Sequence, residues 1–422
     1  MTCRPRCPFI TWALLLAAIP GMVGAEPPPP PVGSPELPAV VAEPLPAITP
    51  AVVSEPLPPE PLPEMVMPAV PPVPPVTVVA LRPLTSFAAG RNDSAPLWSP
   101  TGDFLAFERS SGNQREILIH WEDGAPVQTV SFQEAAKKDD LPLFLSGVVD
   151  EVSYSAGLTW NPAGDRFVFM SNGDEGNYDL YLGEVWGAKP QRLTTHRSMD
   201  GHPQWSPVGN RLAFVSGRSE GGDIYLLDLV SKGQTRLTFG GSSHLYPQWS
   251  PDGKRLAFMA GSNENHDIYV IDDLARPQES LRQLTSGTSD ELRPVWSPDG
   301  RSLAFYTNHN PEGDRRRWAL AVVPAEGNSA TADTIRIVAE DVITDVERGP
   351  AWMSTGERLV FVRNDKQEFN PLFLADLAGG DERPIPTGTK MNHDVTCAAD
   401  GRLAFRAQVD QWDQIFIAEI GN

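Results

Sequence analysis

Residues Gly217 to Gly221 read Gly-Arg-Ser-Glu-Gly, which fits the Gly-x-Ser-x-Gly pattern of a serine nucleophile. Such a serine needs a strand before it and a helix after it, so that its hydroxyl stands exposed at a sharp turn. Here Ser219 lies in a polar stretch between two segments that alternate with the period of β-strands. We therefore expect no catalytic residue at this motif, and we expect the protein not to be an enzyme.

A second group of polar residues stands at fixed distances before a series of tryptophan positions. Three residues before such a position stand His202, Tyr246, Arg293 and Asp394. Five residues before stand Asp93, Asp200, His244, Glu291, Glu347 and Asn392. If these positions converge in the fold, they form a ring that could bind a metal ion or a partner.

Two interpretations of this ring compete. Neutral imidazoles beside a carboxylate can bind a divalent ion, and His202, His244 and His393 are the candidates. The alternative is a polar rim that caps turns, lines water or contacts a partner. Because the three histidines have no fixed local spacing, we prefer the partner-binding rim and predict no metal and no other cofactor.

The tryptophans belong to a line of sequence that recurs along the chain. PQWSPVGNRLAF at 203–214 and PQWSPDGKRLAF at 247–258 are its clearest copies, and a seventh copy has Cys397 in place of tryptophan. A glycine follows four residues after each of these positions. Proline sets φ at the first corner of a tight turn and glycine accepts the positive φ, so each line predicts a strand, a turn and a second strand.

Two further strands follow in most copies. Alternating runs such as GDIYLLDL (222–229) predict a third strand, and runs such as TRLTFG (235–240) predict a fourth. Each unit of about 45 residues is then a four-stranded antiparallel meander, and such units stack radially into an all-β propeller. The tryptophans and the phenylalanines that end each line are expected to pack between neighbouring blades.

The two ends of this repeat region predict how the ring closes. The run LRPLTSF at 81–87 is a fourth strand without a blade before it, and the last unit lacks its own fourth strand. Joining them completes the last blade and leaves no unpaired edge there. We therefore predict seven blades; six remain possible if the insertion at 133–147 makes the first unit irregular.

The pattern Pro-x-Trp-Ser-Pro-Asp-Gly-x-x-Leu-Ala-Phe, followed by Asp-Ile-Tyr and Arg-Leu-Thr, resembles the PD40 type of WD40-like repeat found in the TolB family. The resemblance covers roughly residues 80–422 and implies a periplasmic propeller. Members of that family carry an α/β domain ahead of the propeller, whereas this chain has a proline-rich segment there. Similar repeats occur in prolyl-oligopeptidase-type peptidases and in oligogalacturonate lyases, so the fold leaves the activity open.

The N-terminal residues predict export. Two arginines precede a short apolar run, and small residues end at Ala25, so residues 1–25 are a predicted signal peptide that could also stay uncleaved as an anchor. Residues 26–76 are rich in proline and predict a disordered, extended tether. Residues 77–422 are the predicted propeller, closed by strand 81–87. We expect a periplasmic or secreted protein.

The formal net charge of −20 makes nucleic acid an improbable partner, because phosphate binding requires a concentrated basic surface. The expected partner is an envelope protein or a glycan, no stable membrane span is expected unless the signal is retained, and the chain is expected to be a monomer. The sequence thus favours an exported, non-enzymatic, protein- or glycan-binding scaffold. The alternative is a channel-centred carbohydrate-active enzyme, similar to a lyase, with a metal held by histidines.

Overall fold

In the computed structural model, all regular secondary structure of the described residues is β-strand. The described residues are 74–86, 88–112, 114–122, 126–130, 153–173, 177–187, 189–219, 221–261, 265–309, 315–327, 335–345, 347–367 and 369–421. The predicted signal peptide, nearly all of the predicted tether and the insertion at 133–147 lie outside them. Within the described residues, no helix is long and apolar enough to cross a membrane.

The strands group into seven blades. Strand β1 (Thr77–Pro83) precedes blade 1, which contains β2 (Arg91–Trp98), β3 (Phe104–Ser111), β4 (Gln114–Trp121) and β5 (Pro126–Val130). Blade 2 contains β6 (Ser153–Trp160), β7 (Arg166–Ser171), β8 (Asp179–Glu184) and β9 (Gln191–Arg192). Blade 3 contains β10 (Asp200–Trp205), β11 (Arg211–Ser216), β12 (Asp223–Asp228) and β13 (Gln234–Arg236). Blade 4 contains β14 (Ser243–Trp249), β15 (Leu256–Gly261), β16 (His266–Ile271) and β17 (Leu281–Gln283).

The remaining blades follow the same plan with two variations. Blade 5 contains β18 (Glu291–Trp296), β19 (Ser302–Thr307), β20 (Ala319–Pro324) and β21 (Arg336–Ala339). Blade 6 has a divided first strand and contains β22 (Val342–Ile343), β23 (Ala351–Trp352), β24 (Arg358–Arg363), β25 (Leu372–Asp376) and β26 (Glu382–Pro384). Blade 7 contains β27 (Lys390–Cys397), β28 (Leu403–Val409) and β29 (Trp412–Gly421). The seven-bladed propeller predicted from the repeats is confirmed.

Strand β1 is the fourth strand of blade 7. It pairs antiparallel with β29, from Thr77 opposite Gly421 to Pro83 opposite Phe416. The strand therefore begins four residues before the predicted run at 81–87. Beyond it, the amide of Ile415 donates to the Thr85 hydroxyl at 3.1 Å. The N-terminal strand and the last strand of the chain thus join in one sheet.

Each seam between two blades is filled by large side chains from both. Trp296 and Phe305 of blade 5, for example, share a buried cluster with Met259 and Val270 of blade 4. The indole N–H of Trp296 donates to the carbonyl of Gln248 in blade 4 at 3.1 Å. Equivalent bonds are made by the indoles of Trp160, Trp249 and Trp352. At these four seams the recurring tryptophan therefore packs between the blades and also donates a hydrogen bond to a carbonyl of the preceding blade.

The Asp-Ile-Tyr and Arg-Leu-Thr motifs meet inside each blade that carries both. In blade 3, the Thr238 hydroxyl donates to Asp223 at 2.9 Å and accepts the amide of Ile224 at 2.9 Å. Arg236 forms an ion pair with the same carboxylate. Asp179, Arg192 and Thr194 repeat the arrangement in blade 2. A buried charge is thereby paired and hydrogen-bonded, as a buried carboxylate requires.

Candidate functional site

The first strand of every blade is distorted at the position three residues before the tryptophan position. The seven residues there all have positive φ, between 48° and 83°: Ala95, Gly157, His202, Tyr246, Arg293, Gly349 and Asp394. In six blades the pairing with the second strand shifts register at this point, and in blade 6 the strand is divided. Such β-bulges re-aim side chains and are common beside functional sites.

The bulge residues of blades 3, 4 and 5 contact one another. The His202 ring meets the Tyr246 ring edge-on, with centroids 4.5 Å apart. The guanidinium of Arg293 lies over the Tyr246 ring, 4.1 Å from its centroid. Burial, with Arg293 nearby, lowers the pKa of His202 to about 4, so this imidazole is neutral at physiological pH. Three side chains from three blades thus form one continuous stack at the channel.

The ring continues through blades 7 and 1. Asp394 of blade 7 pairs with Arg406 at 3.0 Å and accepts the amide of Ala95 in blade 1 at 3.3 Å. Burial, with Arg406 as a neighbour, lowers the pKa of His393 to about 4. The bulge residues therefore also join the last blade to the first.

A loop from blade 6 crosses the channel. Asp345 accepts the amides of Glu347 and Arg348 at 2.9 and 2.8 Å. Arg348 then donates to the carbonyl of Leu158 in blade 2 at 2.8 Å and to that of Ala95 in blade 1 at 3.0 Å. Burial, with Asp394 as a like-charged neighbour, raises the pKa of Asp345 to about 7. Arg348 thereby connects blade 6 to blades 1 and 2.

Asp345 and Arg348 were missed by the sequence reasoning. They lie seven and four residues before Trp352, and only offsets of three and five residues were considered. A signal was present, because the segment between β22 and Trp352 holds two acids and an arginine next to Gly349-Pro350. The offsets of three and five residues that recur between repeats do not include these two positions.

Five of the six residues that stand five before a tryptophan position lie inside the propeller and not on an exposed rim. Asp93, Asp200, His244, Glu291 and Asn392 are all buried. Asp93 pairs with Arg109 and Asp200 with Arg218 inside their own blades, and Glu291 accepts from Ser289 and Thr307. His244 of blade 4 pairs with Asp223 of blade 3, and Asn392 of blade 7 donates to the carbonyl of Asn370 in blade 6. Glu347 differs, because it is half-buried at the channel loop. Partner binding by any of the ten rim residues stays a prediction.

The three candidate histidines have different surroundings. His202 contacts Tyr246, the Nδ1 of His244 lies 2.9 Å from an Asp223 oxygen, and His393 has Arg406 as a charged neighbour. Within the described part of the chain, no group of three or more His, Cys, Asp or Glu side chains is placed to hold a metal ion. The structure does not bring the histidines together as one ligand set.

The strand order defines a seven-bladed β-propeller with charged side chains at its centre. Comparison with known proteins shows which family its repeats resemble. Residues 147–336 match the family described as the TolB beta propeller domain, PD40. The Tol-Pal system protein TolB of Desulfosudis oleivorans is 34% identical over 86 residues, covering 20% of this chain and 18% of that protein. A TolB homolog of Chlorobium chlorochromatii is 32% identical over 123 residues, covering 29% and 23%. The chain thus contains a TolB-like propeller, and its matches span less than a quarter of these relatives.

A solved structure matches a larger part of this chain than these relatives do. An oligogalacturonate lyase in complex with manganese superposes with a TM-score of 0.61, covering 82% of this chain and 95% of the lyase, at 11% identity. At such low identity the likeness shows the fold alone.

Proposed function

We propose that this protein is an exported, non-enzymatic propeller that binds another protein of the cell envelope, in the periplasm or outside the cell. The observation that carries the proposal is the TolB-like repeat match over residues 147–336. Relatives with these repeats are named as a Tol-Pal system protein and as TolB homologs. The predicted signal peptide and tether add support. The signal peptide would direct the propeller out of the cytoplasm, and the tether would precede it as an extended segment.

The contacts in the channel support binding over catalysis. Arg348 is held by the carbonyls of Ala95 and Leu158, and Asp394 pairs with Arg406. Side chains engaged in this way are less available to act as a catalytic acid or base. Glu347 is the half-buried acid of the channel loop, and we place the partner-binding surface around it.

The test compares two glutamates of blade 6. The full-length protein, expressed in its native envelope, is cross-linked and its partners are identified. Glu347→Gln should reduce the cross-linked partner severalfold, and the reduction should shrink as salt rises because exposed charges are screened. Glu357→Gln is the matched control, since Glu357 is exposed in the turn at the opposite end of the same blade.

Three results would contradict the proposal. The first is a partner yield that both substitutions leave unchanged, and the second is a mature protein that remains in the cytoplasm. The third is a stoichiometric metal in the purified protein together with cleavage of an acidic polysaccharide, which would favour the carbohydrate-active alternative.

A further inference from the structure

A cavity of about 270 Å³ lies at the end of blade 4 where β14 and β16 begin and β15 ends. The exposed residues Ser242, Asn265 and Leu281 line it together with the buried Phe258 and Asp267. This volume is just below the range of roughly 300–1,000 Å³ typical of sites for drug-sized molecules. The cavity therefore fits one small chemical group with part of its carrier.

In blades 1, 3 and 6, an arginine lies over the aromatic rings that correspond to those of the cavity. The Arg218 guanidinium of blade 3 lies 5.9 Å from the Phe214 centroid and 5.0 Å from that of Tyr225. The same contact is made by Arg363 over Phe361 and Phe373 in blade 6 and by Arg109 over Phe107 in blade 1. A cation over these rings is thus a recurring feature of the propeller, and it gains from the negative face of each ring.

Blade 4 has the rings without such a cation. Phe258 pairs with Tyr269 in the same register that joins Phe214 to Tyr225. The Phe258 and Tyr269 rings stack, with centroids 5.9 Å apart. Both rings line the cavity, and the described residues that line it include no arginine or lysine. The cavity thus lies beside an aromatic pair that has the geometry to accept a cation.

Asp267, a second part of the cavity wall, lacks the arginine that its counterpart has. Asp223 of blade 3 is paired with Arg236 of the fourth strand. In blade 4 the register position of that arginine holds Gln283, whose amide donates to Asp267 at 3.1 Å. The other oxygen of Asp267, Oδ1, accepts no hydrogen bond from an N–H group of the described residues. The Asp267 side chain is only 8% exposed, and a buried carboxylate favours a cationic partner.

On the side of blade 5, the surroundings of Asp267 are acidic. Glu291 shares a carboxyl–carboxyl hydrogen bond with it, and Asp290 is a further acidic neighbour. His266 pairs with Asp290 at 3.0 Å and so offsets that charge. This side therefore supplies Asp267 with no arginine or lysine partner within the described residues.

On the side of blade 3, the charges balance one another. His244 lines the cavity, and its Nδ1 lies 2.9 Å from an oxygen of Asp223. Arg236 is already paired with this same carboxylate. Burial lowers the pKa of His244, so its imidazole is mainly neutral at physiological pH. Asp267 therefore determines the sign of the charge in the cavity, which is negative.

We propose that this cavity binds a guanidinium group, carried by an arginine side chain of a peptide or by a small molecule. The planar cation stacks on the Phe258 and Tyr269 rings, as an arginine does on the corresponding rings of blade 3. Its N–H groups donate to the Asp267 carboxylate. The site is separate from the channel surface around Glu347.

Calorimetric titration of the full-length protein tests the site with three probes: methylguanidinium, an acetylated and amidated tripeptide with a central arginine, and the same tripeptide with citrulline instead. Citrulline has the shape of arginine without its charge, so its peptide should bind at least about tenfold more weakly than the arginine peptide. Asp267→Asn should weaken both guanidinium probes by a similar factor. The control is Glu279→Gln, which removes the same charge from an exposed residue of blade 4 and should bind as the unaltered protein does.

Gln283→Arg provides a test that misfolding cannot imitate. It places an arginine where blade 3 has Arg236, so the new side chain should pair with Asp267 and block the site. Guanidinium binding should then fall at least about tenfold while the melting temperature stays the same or rises. Gln191→Arg is the control, because it adds the same charge at an exposed position of β9 and should leave binding unchanged.

The two guanidinium probes distinguish the sources of the group. Tighter binding of the arginine tripeptide would identify a peptide, and equal affinity would show that the guanidinium group alone is recognised, as in a small molecule. The proposal is overturned if neither probe binds at millimolar concentration, if the citrulline peptide binds equally well, or if Gln283→Arg keeps full affinity. It is also overturned if Asp267→Asn and Glu279→Gln lose affinity alike.

Discussion

At the residue scale, Glu291 shows how burial changes the chemistry of a carboxyl group. It lies at the start of β18, where its Oε1 accepts from Ser289 at 2.6 Å and from Thr307 at 3.1 Å. Burial raises its pKa to about 8, and the neighbouring carboxyl of Asp267 adds to the rise. Around neutral pH Glu291 is therefore largely protonated, which avoids two neighbouring carboxylate charges between blades 4 and 5.

This raised pKa predicts that stability falls as pH rises. The folded state holds a proton between the ordinary value of 4.5 and about 8 that the unfolded state releases. The stabilisation is present below pH 4.5 and is lost as pH approaches 8, and the loss between pH 6.5 and 9 should be about 1–2 kcal/mol. Asp345, whose pKa burial raises to about 7, adds a loss of the same sign.

Thermal unfolding across this pH range, with and without Glu291→Gln, measures the effect. Glutamine does not titrate in this range, so this variant should show a flatter decline. Glu419→Gln is the control, because Glu419 is exposed on β29. Equal slopes for all three proteins would mean that Glu291 is not protonated in the fold.

A second residue-scale prediction concerns the recurring tryptophan. Trp249 is 7% exposed, and its indole donates to the carbonyl of Gln204 in blade 3 at 3.0 Å. Trp249→Ala should cost about 3–5 kcal/mol of unfolding free energy, because it leaves a cavity at the seam and an unpaired carbonyl. Trp186→Ala, at a residue 67% exposed, should cost about 1 kcal/mol. A denaturant titration that gives similar values for both would contradict the seam assignment.

At the element scale, the closing strand can be tested by deletion. Removing residues 74–84 exposes the edge of β29 and takes Val76 and Leu84 from two buried clusters. The melting temperature should fall and aggregation should rise, because an unpaired edge templates association. Deleting residues 26–70, within the predicted tether, should leave unfolding unchanged. The same melting temperature for both deletions would exclude closure by β1.

The sequence predicted the elements well where one residue type determines geometry. The tryptophan and glycine positions set first and second strands such as β14 and β15. The fourth strands are shorter than predicted: 235–240 was expected, and β13 ends at Arg236. Thr238 bonds Asp223 and the amide of Ile224 instead of extending the ladder.

The candidate site was less predictable for two physical reasons. A bulge at His202, Tyr246 or Arg293 requires a positive φ, which residues other than glycine adopt uncommonly, so only the fold reveals it. The carboxylates of Asp93 and Asp200 pair with Arg109, near the end of β3, and with Arg218, just after β11. Both arginines stand outside the recurring line. The carboxylates therefore looked exposed, although ion pairs hold them inside.

At the scale of the whole molecule, one arginine contact recurs at separate seams of the ring. Arg255 of blade 4 lies 4.6 Å over the Trp296 ring and donates to the Gly300 carbonyl of blade 5 at 2.9 Å. Arg402 of blade 7 lies 4.7 Å over the Trp98 ring and donates to the Gly102 carbonyl of blade 1 at 3.0 Å. The first seam is internal to the chain and the second is where its ends meet.

These paired seams test whether the propeller unfolds as one unit. Each contact combines a cation–π interaction with a charged hydrogen bond, so Arg255→Met and Arg402→Met should each cost about 1–3 kcal/mol. In a cooperative ring, opening either seam unfolds the same structure, and the two costs should agree within about 0.5 kcal/mol with one unfolding transition. Calorimetry with fluorescence detection measures both. A second, earlier transition in Arg402→Met alone would show that the closing seam opens separately and that the ring is no single cooperative unit.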